Sequence, residues 1–483
     1  MKWRSDAGIL FFILLAHLGI LWRYGTAIPA PMPPEEYSFT DLSRNIISGG
    51  GIVARVPTEL FPFPGVPQPF YVPVITYAAA LGLWGAFRGF DLPTLRELSR
   101  WLSALDLLLL YWLALRWGIP RPLSWMAVAW TALDVVYQLT GNIVRSDRFC
   151  LTWALLGVLA FTEGWERKRG SIWWVVSGVC MALSLFAHAW LAAFLTAWLT
   201  FLLLLRYPRA LPYFLAPIGL AVSMWGFYAL RHTEQSLLIS RLVIQDKTAL
   251  SPFALLILGL GVSTLGQVLG AYPSNSPIWL APLIAFTWAW GRGHLGWPGW
   301  RVGLIWIAYL TGYLNRHPWY AGWFTPFGYL AVAGLLAALW SSRAAKDDRF
   351  LRGALLLVSG VWMAYQVLPV WRNFEAAPRI QAAHQAFFEE LARDLPPNAS
   401  VWLFSVPDPS FHLARVRPDL TIYIGTGYFA FPYPWFWDRI DMMVFTASWV
   451  LPKGVLPPYR TEREWQMPAV LIEYSVMATR PIR

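Results

Sequence analysis

The chain has 483 residues, of which 57% are apolar and only 13% are charged, whereas about 25% of the residues in a soluble domain are charged. This composition excludes a protein whose main solvent is water, and several apolar runs reach the ~20 residues that cross a hydrocarbon core. The formal net charge of +11 does not indicate nucleic-acid binding, because the basic residues form short clusters between apolar runs.

The first apolar run, residues 9–22, follows Lys2 and Arg4 and has no small-residue cleavage site at its end. It therefore predicts a retained membrane helix rather than a signal peptide. Because basic residues flank the cytoplasmic ends of membrane spans, the N-terminus is predicted to be cytoplasmic.

The later apolar runs extend this to a map of about eleven spans. After the first, they are residues 98–114, 123–139, 149–161, 172–187, 191–205, 211–230, 279–290, 302–313, 323–339 and 355–370. The map puts the basic clusters at residues 116–121, 166–169, 206–209, 292–301 and 343–352 on the cytoplasmic side, as the positive-inside rule requires.

One apolar segment, residues 253–269, does not fit this alternation, because counting it as a span would invert every later loop. Ser263, Thr264 and Gln267 make its second half semi-polar. We favour a re-entrant or surface-lying segment within a long outer loop, residues 232–277, and a true span is the alternative.

Two stretches do not resemble spans, and both fall on the outer side. Residues 27–96 form a proline-rich first outer loop with amphipathic helices at the interface. Residues 372–483 have ordinary polarity. They contain a helix-like segment at 380–395, followed by strand-like segments at 401–404, 420–424 and 442–445. The predicted fold is an all-α polytopic membrane domain, residues 1–371, followed by a small α/β extracytoplasmic domain, residues 372–483.

The first candidate site lies directly after the first span. No phosphate-cradling glycine loop, nucleophile elbow or zinc-binding helix motif occurs in the sequence, so the candidates are polar residues at the outer membrane boundary. Glu35 and Glu36 begin a predicted helix that also carries Arg44. Glu35 is a candidate general base. The alternative is that the pair only caps the helix, whose positive end favours acidic side chains.

Two further candidate sites lie at the same boundary. Arg145 and Asp147 occupy a very short turn between the third and fourth spans, where a solvated ion pair is the alternative. Arg316, His317 and Tyr320 precede the tenth span. A planar guanidinium there suits phosphate oxygens, and a simple interfacial anchor is the alternative.

Three more residues have a side chain that could do chemistry. His188 ends the fifth span and could equally be a packed histidine. Cys150 and Cys180 both fall inside apolar runs, so they indicate neither a disulfide framework nor a metal site.

In chain order, these positions resemble the GT-C membrane glycosyltransferases, in the branch of protein O-mannosyltransferases and lipid A aminoarabinose transferases. In that family an Asp-Glu pair opens the first outer loop and is followed by Tyr and Arg. Glu35-Glu36, Phe39 and Arg44 match this spacing, although Glu35 replaces the usual Asp.

The resemblance continues through residue 370. Gln68-Pro69-Phe70-Tyr71 resembles the family's Pro-rich, Tyr-bearing amphipathic helix, and Arg145-Ser146-Asp147 resembles its Arg-x-Asp turn. His317-Pro318-Trp319-Tyr320, followed by Pro326, resembles its His/Arg-Tyr-x-x-Pro stretch. Gln68 and His188 stand where many relatives have Lys.

The resemblance implies an inverting transfer, in which an acceptor hydroxyl attacks the anomeric carbon of a sugar while polyprenyl phosphate leaves. It implies that Glu35 is the base and that Glu36 is its support or its substitute. Asp147 would orient the acceptor or, with Glu35, hold a divalent cation such as Mg or Mn. Arg316 and His317 would neutralise the leaving phosphate. The remaining substrate-binding residues implied are Arg44, Gln68, Tyr71, Arg145, His188 and Tyr320.

The implied partners are a polyprenyl-phosphate sugar donor, a lipid, glycan or protein acceptor, and the lipids of the plasma membrane. The rival interpretations are a lipid-linked sugar flippase or other transporter, and a non-catalytic GT-C-like scaffold. Transporters usually place ionisable residues near the bilayer midplane and show two related halves, and neither is evident in the sequence. A shared site predicts that Glu35, Asp147 and His317 converge within about two helix diameters.

Overall fold

The computed structural model describes residues 2–28, 35–58, 63–64, 66, 68–69, 74–167, 171–231, 280–314, 321–341, 349–425, 434–447, 456–468 and 473–482. The helices up to residue 341 are α1 (Lys2–Tyr24), α2 (Glu35–Ile47), α3 (Ile75–Arg88), α4 (Leu92–Arg116), α5 (Arg121–Leu133), α6 (Val135–Thr140), α7 (Ser146–Arg167), α8 (Ser171–Leu185), α9 (Ala189–Arg206), α10 (Leu211–Arg231), α11 (Leu280–Gly291), α12 (Gly299–Leu314) and α13 (Ala321–Ser341).

Strands β1 (Val53–Ala54) and β2 (Gln68–Pro69) pair antiparallel within the first loop. Gln68 and Pro69 are therefore extended, and the helix expected around them begins only at Ile75. The C-terminal part contains α14 (Arg349–Asp394), β3 (Ser400–Phe404), α15 (Ser410–Val416), β4 (Thr421–Ile424), β5 (Met442–Thr446), β6 (Tyr459–Pro468) and β7 (Glu473–Pro481).

Every predicted span falls on one of these helices, and the third is divided between α5 and α6. The division occurs at Asp134, whose Oδ1 accepts a hydrogen bond from Tyr137 N at 2.9 Å and so caps α6. Within the described residues, 4 helices are long and apolar enough to cross a membrane. They are Asp6–Tyr24, Leu92–Arg116, Pro208–Arg231 and Gly322–Trp340.

Large apolar side chains point outwards from the helical bundle. Phe12 on α1 is 69% exposed, Leu205 on α9 is 66% exposed and Met224 on α10 is 68% exposed. Exposure of so many apolar groups would be unfavourable in water, but it is favourable in the hydrocarbon core of a membrane. The chain is an integral membrane protein.

Two ion pairs join helix ends that the topology map assigns to one side. Arg116 at the end of α4 pairs with Glu163 near the end of α7. Arg301 at the start of α12 pairs with Glu166 at 2.8 Å. The predicted basic clusters around these residues therefore lie at the same end of the bundle, as the alternation requires.

Helices α8 and α10 approach so closely that a Cβ at Gly178 would lie 2.2 Å from the carbonyl oxygen of Phe214. Gly178→Ala is expected to destabilise the protein by about 1–3 kcal/mol, because a backbone atom cannot give way. Thermal unfolding in detergent, followed by tryptophan fluorescence, measures the change. Gly219→Ala on α10 is the matched control, since a Cβ there meets nothing within 4 Å. Equal unfolding midpoints for the two variants would contradict the prediction.

The five C-terminal strands form one sheet in the order β4-β3-β5-β7-β6. Strand β3 is parallel to both β4 and β5, whereas β7 is antiparallel to β5 and β6. Successive side chains of β3 alternate between two cores. Val401 and Leu403 face the core that includes α14, and Trp402 and Phe404 face the core around Phe436. The predicted strands at 401–404, 420–424 and 442–445 are confirmed, and β6 and β7 were not predicted.

Helix α14 corrects one expectation. Residues 380–395 were predicted to form a separate helix, but α14 is continuous over 46 residues, with Pro369 and Pro378 inside it. Each proline removes one hydrogen bond without ending the helix. His384 near its end donates from Nε2 to Pro468 O at 2.7 Å. Burial lowers the pKa of His384 to about 4, so this link between α14 and β6 is uncharged at neutral pH.

Candidate active site

The carboxylate of Glu36, in the first turn of α2, is fixed by three hydrogen bonds. Its Oε1 accepts from Arg96 Nε at 2.9 Å and from Val144 N at 2.7 Å. Its Oε2 accepts from Arg96 Nη2 at 2.7 Å. Glu36 and Arg96 are only 2% and 1% exposed. Glu36 is therefore tied into a buried bidentate ion pair, which suits a supporting role better than the role of a base.

A backbone carbonyl at the end of α1 holds the same region together. Gly25 O accepts from Arg96 Nη1 at 3.0 Å, from Asn142 Nδ2 at 2.9 Å and from Arg100 Nη2 at 3.4 Å. Gly25 has φ +50°, a conformation that glycine adopts without steric penalty. The turn after α1 thus aims one carbonyl at two buried arginines of α4.

The Arg145–Asp147 turn lies beside this network, since Val144 N binds Glu36. Asp147, in the first turn of α7, accepts from Arg145 Nε on Oδ2 at 3.0 Å. Its Oδ1 lies 3.6 Å from His188 Nε2. Three of the predicted sites therefore converge at one end of the bundle. They are the start of α2, the Arg145–Asp147 turn and His188.

Tyr77 on α3 completes this cluster and was given no role by the sequence. Its ring packs edge-on against Phe39 at 5.5 Å and lies 6.1 Å from Phe149. The side chain is fully buried and interacts electrostatically with Glu36 and Asp147. The sequence predicts amphipathic helices at the interface in this loop, and only the packing of α3 on α2 reveals that Tyr77 points inwards.

The remaining predicted residues divide into two groups. Arg44 lies at the far end of α2, where its guanidinium is 5.0 Å from the centroid of the Phe90 ring and donates to Phe90 O at 3.3 Å. It does not join Asp147. The side chains of Glu35 and Gln68, and the residues Tyr71, Arg316, His317 and Tyr320, lie outside the described part of the chain. The convergence expected for Glu35 and His317 therefore stays a prediction.

A second buried polar cluster lies deeper in the bundle. Arg148 Nη1 is 3.8 Å from Asp106 Oδ2, and Arg148 Nη2 donates to Tyr137 O at 2.6 Å. Asp106 Oδ1 accepts from Thr152 at 2.5 Å. Asp106 follows Arg96 by ten residues in α4 and so lies about 15 Å further along the helix. The pair could not be recognised from the sequence, because Asp106 is isolated in an apolar run and Arg148 follows the Arg145–Asp147 turn.

The C-terminal sheet reaches the end of the bundle at which Glu36 lies. Ile424 N, at the end of β4, donates to Pro57 O in the first loop at 2.9 Å. Phe411 on α15 packs edge-on against Tyr37 on α2, with ring centroids 5.1 Å apart. The carboxyl edge of the sheet therefore covers the start of α2.

The described residues contain no cluster of side chains that could hold a divalent cation. No three His, Cys, Asp or Glu side chains among them come together as metal ligands. Asp147 Oδ2 accepts from Arg145, and both oxygens of Glu36 accept from Arg96. Asp147 Oδ1 has no hydrogen-bond partner among the described residues, and the side chain of Glu35 lies outside them. The divalent cation expected at Asp147 and Glu35 therefore stays a prediction.

Comparison with known proteins found no matching protein-family model and no matching curated sequence. Solved structures do match. ArnT from Cupriavidus metallidurans in the apo state is similar at TM-score 0.52 and 12% identity, covering 98% of both chains. The same protein bound to undecaprenyl phosphate gives TM-score 0.51 at 13% identity and covers 97% of both chains.

A second similar protein is the archaeal oligosaccharyltransferase AglB from Archaeoglobus fulgidus, in complex with an inhibitory peptide and a dolichol-phosphate. It gives TM-score 0.51 at 10% identity and covers 90% of this chain and 69% of its own. A structure of an oligosaccharyltransferase from Archaeoglobus fulgidus in complex with Zn and sulfate also matches. Both proteins are membrane glycosyltransferases of the GT-C fold, and the likeness shows that this chain has that fold.

Proposed function

We propose that the protein is a membrane glycosyltransferase that transfers a hexose or pentose from a polyprenyl-phosphate donor to an acceptor hydroxyl, with inversion at the anomeric carbon. The observation that carries this proposal is the convergence of Glu36, Asp147 and His188 at one end of a GT-C bundle. Undecaprenyl phosphate and dolichol-phosphate in the similar structures support a polyprenyl-phosphate donor.

Glu35 acts as the general base that removes the proton of the acceptor hydroxyl. The ion pair between Glu36 and Arg96 holds the start of α2 against the loop before α7, which fixes the position from which Glu35 works. Asp147, aligned by Arg145, orients the acceptor. His188, together with Arg316 and His317, stabilises the negative charge that develops on the leaving phosphate.

The proposed topology has about eleven spans, a cytoplasmic N-terminus and an outward-facing C-terminal domain from residue 372. The segment at 253–269 is re-entrant or lies at the surface. This topology is supported by the placement of Arg116 and Arg301 at one end of the bundle and of Asp147 and His188 together in the site. The active site and the C-terminal sheet then lie at the outer face, and the basic clusters lie in the cytoplasm.

The function is tested by incubating the purified protein with a panel of radiolabelled polyprenyl-phosphate sugars. At least one donor is expected to release free polyprenyl phosphate, with the label found in a new product of inverted anomeric configuration. Asp147→Asn should lower that release. If no donor of the panel yields polyprenyl phosphate, the protein is a non-catalytic GT-C scaffold or a transporter.

A transporter is the second candidate, because one observation favours it. The pair of Asp106 and Arg148 lies deep in the bundle, where transporters often place ionisable groups. Arg148 Nη2 donates to Tyr137 O and Asp106 Oδ1 accepts from Thr152, as expected of a structural cluster. In proteoliposomes, movement of labelled donor across the bilayer without release of polyprenyl phosphate would favour the transporter.

A further inference from the structure

The loop after β3 occupies a distinctive place in the C-terminal sheet. Strand β3 lies between β4 and β5 in the sheet, and all three strands are parallel. In open α/β sheets, the crevice at the carboxyl ends of strands where the order reverses is the usual ligand position. The loop at residues 405–409 lies at that place, and Val406 N is fixed there by Thr446 Oγ1 at 2.7 Å.

Among the described residues, Asp408 in this loop has one carboxylate oxygen that accepts hydrogen bonds and one that has no partner. Its Oδ1 accepts from Ser410 N at 2.9 Å and from Ser410 Oγ at 2.5 Å. Its Oδ2 is buried and has no hydrogen-bond partner in the described part of the chain. A buried acceptor without a donor costs about 1–3 kcal/mol. The two hydrogen bonds from Ser410 hold the carboxylate in one orientation.

The unpaired oxygen belongs to the region of the proposed active site. Asp408 interacts electrostatically with Glu36 and with Tyr37, the first residues of α2 whose side chains are described. Phe411, three residues along, contacts the Tyr37 ring at 5.1 Å. Burial, with a smaller contribution from Glu36, raises the pKa of Asp408 to about 7. The C-terminal sheet thus presents an acidic group to the residues beside Glu35.

We infer that Asp408 is an acceptor-binding residue, whose Oδ2 accepts a hydrogen bond from a hydroxyl group of the acceptor. This inference rests on the proposed function and adds the acceptor side of the same site. The acceptor lies between the loop at residues 405–409 and the start of α2, and the Tyr37–Phe411 contact must open to admit it. The C-terminal sheet therefore contributes to acceptor selection as well as covering the bundle.

The test uses the full chain, a donor that it turns over, and two soluble probes, acetyl-threonine amide and methyl β-D-glucopyranoside. The measured quantity is the ratio of sugar transferred to the probe to sugar released into water. Asp408→Asn keeps an oxygen for Ser410 but replaces Oδ2 by an NH2 group, which cannot accept a hydrogen bond. The ratio for the probe that the wild type prefers is expected to fall by about 10- to 100-fold.

Asp419→Asn is the matched control, because this carboxylate of the same domain pairs with Arg417 at 2.8 Å and is not part of the site. Its ratio should equal that of the wild type. A merely structural Asp408 would lower both products together and leave the ratio unchanged, which would overturn the inference while leaving the proposed function intact. If the wild type releases no polyprenyl phosphate from any donor, the proposed function fails, and the inference fails with it.

Discussion

Replacing Glu35 by Gln is expected to lower the rate of sugar transfer by about 10²–10⁴-fold while donor binding stays nearly unchanged. Gln keeps the shape of the side chain and most of its hydrogen bonds, but it cannot take a proton. Turnover is measured as release of polyprenyl phosphate, and donor binding is measured separately under conditions without an acceptor.

Glu35→Asp is the matched control, because it keeps the carboxylate and shortens the side chain by one methylene. It should retain more activity than Glu35→Gln. A residue that only caps α2 would give a different pattern, in which Glu35→Gln costs about 1 kcal/mol of stability or less and keeps most of its turnover. Normal transfer by Glu35→Gln would refute the base assignment.

Replacing Glu36 by Gln is expected to lower the free energy of unfolding by about 3–5 kcal/mol, because it leaves Arg96 charged and buried without its carboxylate. The two side chains are only 3% and 1% exposed, so solvent cannot compensate. Thermal unfolding in detergent measures the loss. The ion pair therefore makes Glu36→Gln a test of stability as well as of activity.

A double replacement separates the ion pair from any chemical role of Glu36. Glu36→Leu combined with Arg96→Met removes both charges, and apolar pairs of this kind often recover the stability lost in a single variant. Its unfolding midpoint is expected above that of Glu36→Gln. If Glu36→Gln kept the wild-type midpoint but abolished transfer, Glu36 rather than Glu35 would be the base.

The positions of the helices and the convergence of part of the site were predictable from the sequence. Apolar runs and basic clusters predicted the sidedness that brings Asp147 and His188 together, because alternation along the chain fixes which helix ends share a face. The central strand β3 was predictable from its continuous apolar residues, Val401 to Phe404.

Other features depended on packing and could not be predicted. Arg96 lies 60 residues from Glu36, and nothing in the local sequence indicates that the two are partners. Asp408 follows a strand that was predicted, but its role depends on how the sheet docks against the first loop. Strand β6 was not predicted, because charged residues such as Arg460, Glu462 and Glu464 are typical of a loop. The first six residues of the strand are exposed.

The 46-residue length of α14 makes it about 69 Å long at 1.5 Å per residue, more than twice the ~30 Å of a hydrocarbon core. Its residues 355–370 form the last of the proposed spans, and His384 near its other end binds the sheet. Each residue inserted along its outer half would turn the sheet by about 100° and raise it by 1.5 Å. The number of residues in α14 before His384 therefore decides which edge of the sheet meets the bundle. An insertion there is expected to be harmful even where a substitution is tolerated.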